Sequence, residues 1–216
     1  MGASRGDTRR DHNPLETPRM KPPLYVVCDI EADGPIPGPH SMISLGAVAT
    51  WGDHGEVDSF QINLEPLPGS SPYPPTMRWF EEEAPEALAF ARRDPRPPEE
   101  AIQAFMGWVR GLPAPRVFVA HPAGFDYMWI RWYIFRYFAA EVRSPTLEPL
   151  FIDGALDLPS LAMGALGRPF ARSFRPDLPA AWLGGHAHSH RAIDDARGYA
   201  SLLSHLLARA EGEGDG

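Results

Sequence analysis

The 216-residue chain has almost no lysine and almost no cysteine: Lys21 is the lone lysine among 20 basic residues, and Cys28 is the lone cysteine. Any phosphate contact must therefore come from arginine's planar fork or from backbone amides. A single cysteine forms neither an internal disulfide nor a cysteine-based zinc knuckle, which favours a reducing compartment. Positive charge is scarce too. The 28 acidic residues leave a formal net charge of −8, which argues against a protein that coats nucleic acid by bulk charge. No apolar run reaches the roughly 18 residues of a membrane span. Residues 1–23 hold no apolar stretch of signal-peptide length, and Gly6 stands where myristoylation of Gly2 wants Ser or Thr. A soluble cytoplasmic protein without a membrane partner is expected.

What is present is apolar mass: 44% hydrophobic and 11% aromatic residues, enough to fill the core of one ordinary domain. Residues 1–20 and the acidic, Gly-rich 211–216 read as disordered tails around a single domain at 21–210. Its first element, 24–31, is an almost continuous apolar run, as in a central strand buried on both faces. Strands at 42–50 and 58–64 follow across a polar turn, so a meander is expected. Helical periodicity covers 76–111, broken by Pro95, Pro97 and Pro98. A fourth strand is read at 116–121, a helix at 126–138, a fifth strand at 151–156, a short helix at 159–166 and a long one at 191–210. The order predicts an α/β fold with helices over a mixed five-stranded sheet.

Three acidic clusters stand out. Asp29 and Glu31 lie two apart in the first strand and leave the same face of the sheet. The bland alternative is an exposed strand end with solvated acids. Asp126 follows the fourth strand and begins a helix, where a simple N-cap is the competing reading. In the last helix a projection at 100° per residue puts Asp195 on the stripe of Tyr199, Leu202 and Leu206, with Asp194 turned to water. No Lys or Arg shares that stripe. Four carboxylates without cationic partners suit hard divalent ions, Mg²⁺ or Mn²⁺, two of which can clamp a phosphodiester. His190, just ahead of the helix, is placed to take a proton from the attacking water, since its ordinary pKa of about 6.5 suits a general base.

These residues resemble the DEDDh branch of the 3′-to-5′ exonuclease superfamily, which holds the proofreading subunit of bacterial DNA polymerase III, ribonuclease T and oligoribonuclease. The first motif is similar to Val27-Cys28-Asp29-Ile30-Glu31-Ala32-Asp33-Gly34 with Met42-Ile43-Ser44-Leu45-Gly46-Ala47-Val48. The second is similar to Val119-Ala120-His121-Pro122-Ala123-Gly124-Phe125-Asp126, and the third, His then four residues then Asp, to His190 through Asp195. The resemblance spans about residues 24–208 and implies a ribonuclease-H-like sheet of a three-strand meander plus two parallel strands. It implies Asp29, Glu31, Asp126 and Asp195 as ligands of two Mg²⁺ or Mn²⁺ ions and His190 as general base. The implied reaction releases nucleoside 5′-monophosphates from the 3′ end of single-stranded DNA or RNA. The chain departs from the pattern at Ala32-Asp33, where members often carry a Thr that contacts the terminal nucleotide, at the longer loop 35–41, and at Pro122, where Asn is common.

Between residues 161 and 191 four arginines face one aspartate, so Arg168, Arg172 and Arg175 are expected beside the substrate strand, with solvated loop arginines as the alternative. The aromatic helix at 127–138 offers a stacking platform for bases, although such a helix more often lies in a core or a homodimer interface. His186, His188 and His190 alternate, which in a strand would gather three imidazoles and make a zinc-dependent hydrolase the main competitor. A nuclease fold kept only as a binding module is a further alternative.

Overall fold

β1 (Leu24–Ala32) is the middle strand of the five-stranded order β3-β2-β1-β4-β5. The computed structural model describes residues 22–53, 55–142, 147–152, 154–186 and 188–212. The tail expected at 1–20 lies outside the described residues. β2 (Met42–Thr50) runs antiparallel to β1, and β3 (Asp58–Asn63) antiparallel to β2. β4 (Arg116–Ala120) and β5 (Ala155–Asp157) add in parallel on the other side. This is the meander plus two parallel strands of a ribonuclease-H-like sheet.

The continuous apolar character of β1 follows from its position between two layers. Val26, Cys28 and Ile30 point into a core shared with α3 (Pro98–Gly111) and α4 (Ala123–Phe138), while Val27 faces α5 (Leu158–Leu166) and α6 (Ala192–Gly212). Asp29 and Glu31 share the Val27 parity, so they emerge toward α6. Truncating one α6 anchor such as the fully buried Leu203 to Ala is expected to cost about 2–5 kcal/mol.

Four boundaries differ from the sequence reading. The helical stretch after β3 is three helices, α1 (Pro74–Glu83), α2 (Pro85–Ala91) and α3, each with a proline in its first turn; Pro85 cannot continue α1, and a proline is tolerated where a helix starts. α4 begins at Ala123, three residues before the expected start, so Asp126 is inside the first turn and is no N-cap. β5 is only Ala155–Asp157. The apolar segment before it packs as a turn, with Phe151 edge-on to Phe118 at 5.4 Å. The carbonyls of Pro149 and Leu150 there accept from the Arg116 guanidinium instead of a strand. Finally, α6 runs two residues into the segment read as an acidic tail, because no breaker precedes Gly212.

Candidate active site

The four carboxylates converge at the C-terminal end of β1. Asp29 stands opposite Gly46 of β2, and Glu31 opposite Ser44, just before a bulge that splays the two strands. Pairing between β1 and β4 ends at Val27 with Val119, so the Ile30 amide has no strand partner on that side. It donates instead to Asp126 Oδ1 at 3.1 Å, which satisfies a buried donor and turns Asp126 toward β1. The start of α4 is held from a third element: Asp157, at the end of β5, accepts from the Ala123 amide at 2.9 Å while its other oxygen caps α5 through Ser160.

Asp195 is buried, as its stripe predicted, and Asp194 is only half-buried. The Asp195 carboxylate accepts the amides of Ser189 and His190, both at 3.1 Å, a backward reach like that of a capping box. The turn that aims both amides at it puts His190 at φ +56°, a left-handed conformation that His adopts more readily than most residues. The close seating of α6 depends on Gly46, where a Cβ would lie 2.3 Å from the Ile193 nitrogen.

Ligand atoms of Asp29, Glu31 and Asp195 lie within 4.8 Å of one another. Burial, and then the negative charge of Asp126, push Asp29 well above the ordinary carboxylate range; burial and Asp195 do the same to Glu31. Burial pushes Asp126 up to about 8 against the opposing help of the Ile30 amide. Among the described residues no Lys or Arg ion pair reaches these acids. Mutually repelling, dehydrated carboxylates with no cation fit a site for hard divalent ions.

His190 is half-buried beside them, edge-on to Trp79 at 4.8 Å and to His188 at 4.0 Å. Burial lowers its pKa, with the His188 side chain acting in the same direction and Asp195 opposing. An open cleft of about 350 Å³, bounded by Glu83 and Glu86 on one side and His188, His190 and Arg191 on the other, leads to it.

The structure sorts the remaining candidates. None of the described residues 186 and 188–190 is in a strand, and the three alternating histidines do not gather: His188 and His190 meet Asp195, but His186 is exposed and outside that donor group. The three-histidine zinc centre is therefore not assembled. His121 is buried, stacked on Tyr199 at 4.7 Å, and accepts the Arg175 amide at 3.2 Å. Arg168 donates to the Asp177 carbonyl and Arg172 to the Asp177 carboxylate. Arg175 alone of the three lines the small recess of His188, Asp195 and Tyr199. On α4, Trp129, Ile130, Tyr133 and Ile134 are fully buried in the core, whereas Tyr127, Trp132 and Phe135 border an open groove. Asp33, which replaces the expected polar contact to substrate, is buried and accepts the Ser41 amide at 2.6 Å; it closes the long loop 35–41 from within. Sequence reasoning missed Gly46, Asp157, Ser189 and Trp79. Of these only Gly46 left a local signal, a glycine inside a strand.

A ribonuclease-H-like sheet that gathers its acids from the central strand, the helix after the fourth strand and the last helix defines the DEDDh class of nucleases. Comparison with known proteins agrees. Residues 26–203 match the family model described as exonuclease, RNase_T, so the chain belongs to this exonuclease family and is a 3′-to-5′ exonuclease by class. Over 183 residues it is 26% identical to the 3′-5′ DNA exonuclease Cap18 of Escherichia coli, covering 83% of this chain and 89% of Cap18. Among solved structures, the nuclease domain of 3′hExo, a DEDDh family member bound to rAMP, superposes with a TM-score of 0.61 at 10% identity over 86% of this chain and 92% of that one. E. coli exonuclease I in complex with a dT13 oligonucleotide superposes with a TM-score of 0.62 at 16% identity over 89% of this chain. The chain spans 43% of exonuclease I. The family uses divalent metal ions. No described helix is long and apolar enough to cross a membrane.

Proposed function

We propose that the protein hydrolyses the terminal phosphodiester at the 3′ end of single-stranded nucleic acid, with two Mg²⁺ or Mn²⁺ ions, and releases nucleoside 5′-monophosphates. The observation that carries this reading is the cation-free convergence of buried Asp29 and Asp195 with half-buried Glu31, and with buried Asp126 beside them. In this reading these four carboxylates hold the ions, which when bound neutralise the phosphate and stabilise charge on the attacking and leaving oxygens. Two ions would also halve the net charge of −8, and would do so where the phosphate sits.

The chain's own residues supply the rest. His190 accepts the proton of the attacking water, its lowered pKa keeping the imidazole neutral near pH 7. Asp195 holds the turn before α6 through the Ser189 and His190 amides, and so sets where that imidazole stands. The displaced 3′ oxygen stays on the shortened strand, while the released nucleotide keeps the phosphate on its 5′ side. Arg175, in the recess beside Asp195, is the arginine placed to meet a phosphate; Arg168 and Arg172 reach the strand only if Asp177 releases them.

DNA is the favoured substrate, because the curated relative that covers most of the chain is a DNA exonuclease. The test is a Mn²⁺-dependent assay on matched 3′-labelled DNA and RNA oligonucleotides, single- and double-stranded. The wild type is expected to release mononucleotides, and Asp126→Asn and His190→Ala are expected to lose that activity. Product that persists in both variants would refute the assignment.

A further inference from the structure

Beside the all-oxygen cluster lies a second donor group of different chemistry. His188, His190 and Asp195 each offer a ligand atom within 4.8 Å of the other two. The two imidazoles meet edge-on with centroids 4.0 Å apart. His188 Nδ1 stands 3.0 Å from Asp195 Oδ2, yet it is buried and makes no aligned hydrogen bond. Among the described residues only this nitrogen and the Trp129 indole nitrogen are buried side-chain polar atoms without a hydrogen-bond partner, and only this one faces a carboxylate at 3.0 Å. The carboxylate itself is fixed by two backbone amides, so it is presented and not free to turn away.

We infer that His188, His190 and Asp195 bind a borderline transition-metal ion, zinc above all, and that its occupation shuts the nuclease off. Two imidazole nitrogens and one carboxylate oxygen suit Zn²⁺ and disfavour Mg²⁺, which prefers oxygen alone. Three protein ligands also leave a fourth tetrahedral position open to water. The inhibitory half of the inference rests on the reading of His190 as general base. A ring nitrogen that ligates zinc has no lone pair left for a proton, so His190 cannot act as base while the ion is bound. His188 takes no proton or metal in hydrolysis under that reading, but it touches His190 and Asp195, so each His188 variant is scored against its own zinc-free activity.

The experiment titrates Zn²⁺ into the full-length protein in excess Mg²⁺ by calorimetry, and repeats it with Co²⁺, whose visible absorption reports nitrogen ligation. Wild type, His188→Ala, the more conservative His188→Gln and, as a control, His186→Ala are compared. Loss of an outer-shell partner alone weakens metal sites by about 10–100-fold, so either His188 change is expected to weaken zinc binding at least about tenfold. His186→Ala is expected to bind as the wild type does. In the Mg²⁺-supported nuclease assay the zinc needed to halve each protein's own zinc-free activity should rise by the same factor in the His188 variants. Equal zinc affinity in the wild type and both His188 variants overturns the site, as does inhibition of those variants at wild-type zinc concentrations. If no protein cleaves with Mg²⁺ or Mn²⁺ while zinc binding still depends on His188, the nuclease reading fails and the zinc site stands.

Discussion

Gly46 in β2 and Ile193 at the start of α6 touch through their backbones: a Cβ on Gly46 would come within 2.3 Å of the Ile193 amide nitrogen. Gly46 also pairs with Asp29 across the sheet, so the same residue sets the separation of α6 from β1. Gly46→Ala is expected to push α6 off the sheet, with about 1–3 kcal/mol of destabilisation from overpacking and a larger loss of kcat than of substrate binding. Thermal melts and steady-state kinetics check this. A variant with wild-type kcat would show that the seating of α6 does not set the site.

The two neighbouring acids of α6 separate cleanly. Asp195→Asn is expected to cut activity by more than about a hundredfold, since even an outer-shell contact to a metal ligand is worth 10–100-fold. Asp194, which is half-buried and whose carboxylate accepts the Ser189 hydroxyl, is expected to tolerate Asn with activity near that of the wild type. The opposite ranking in a single-turnover assay would place the wrong acid in the site.

Metal-free protein should lose stability as pH rises. Asp29, Glu31 and Asp126 all have folded-state pKa values raised above the ordinary range, Asp126 from 3.8 to about 8. The folded state therefore holds more protons than the unfolded one between about pH 4 and 8, and the free energy of unfolding falls across that window. Below it both states are protonated and the penalty vanishes. With Mn²⁺ present the slope should flatten or reverse, because the ion stabilises the ionised carboxylates. Melting temperatures from pH 5 to 8, in chelator and in Mn²⁺, measure both slopes; a flat chelator curve would contradict the buried-acid account.

Asp157 ties α4 to α5 by accepting from both Ala123 and Ser160. Asp157→Ala removes partners from two helix starts and is expected to cost about 1–3 kcal/mol, the sum of two ordinary cap losses. Activity should fall as well, because Asp126 rides on the first turn of α4. Asp157→Asn, which keeps one acceptor oxygen, should restore most of the stability. Chemical denaturation of the two variants distinguishes a capping role from a merely local packing one.

Much of this molecule is legible in its sequence where a single element dictates the outcome. β1 and β2 are read almost to the residue because burial on both faces leaves an unbroken apolar run. Asp29 with Glu31, and Asp195 against Asp194, follow from strand and helix periodicity alone. The misreadings occur where a partner far along the chain decides. Phe151 looks like the start of a strand until the Arg116 guanidinium takes the neighbouring carbonyls. Asp126 looks like an N-cap until the Ile30 amide, unpaired beyond the end of β4, claims its oxygen. His188 cannot be told from His186 by spacing, because the segment is a loop with no period to project. Gly46 acts through its contact with α6, and Asp157 through its bond to the start of α4, which no short window of sequence contains.

The candidate acids come from the first strand, α4 and the last helix, with the proposed base immediately ahead of that helix. During synthesis β1 and α4 leave the ribosome before α6, and until it emerges Asp29, Glu31 and Asp126 lack both Asp195 and His190. Under the proposed function the site can act only once α6 has docked over Gly46, so catalytic competence waits on the last helix of the exonuclease domain.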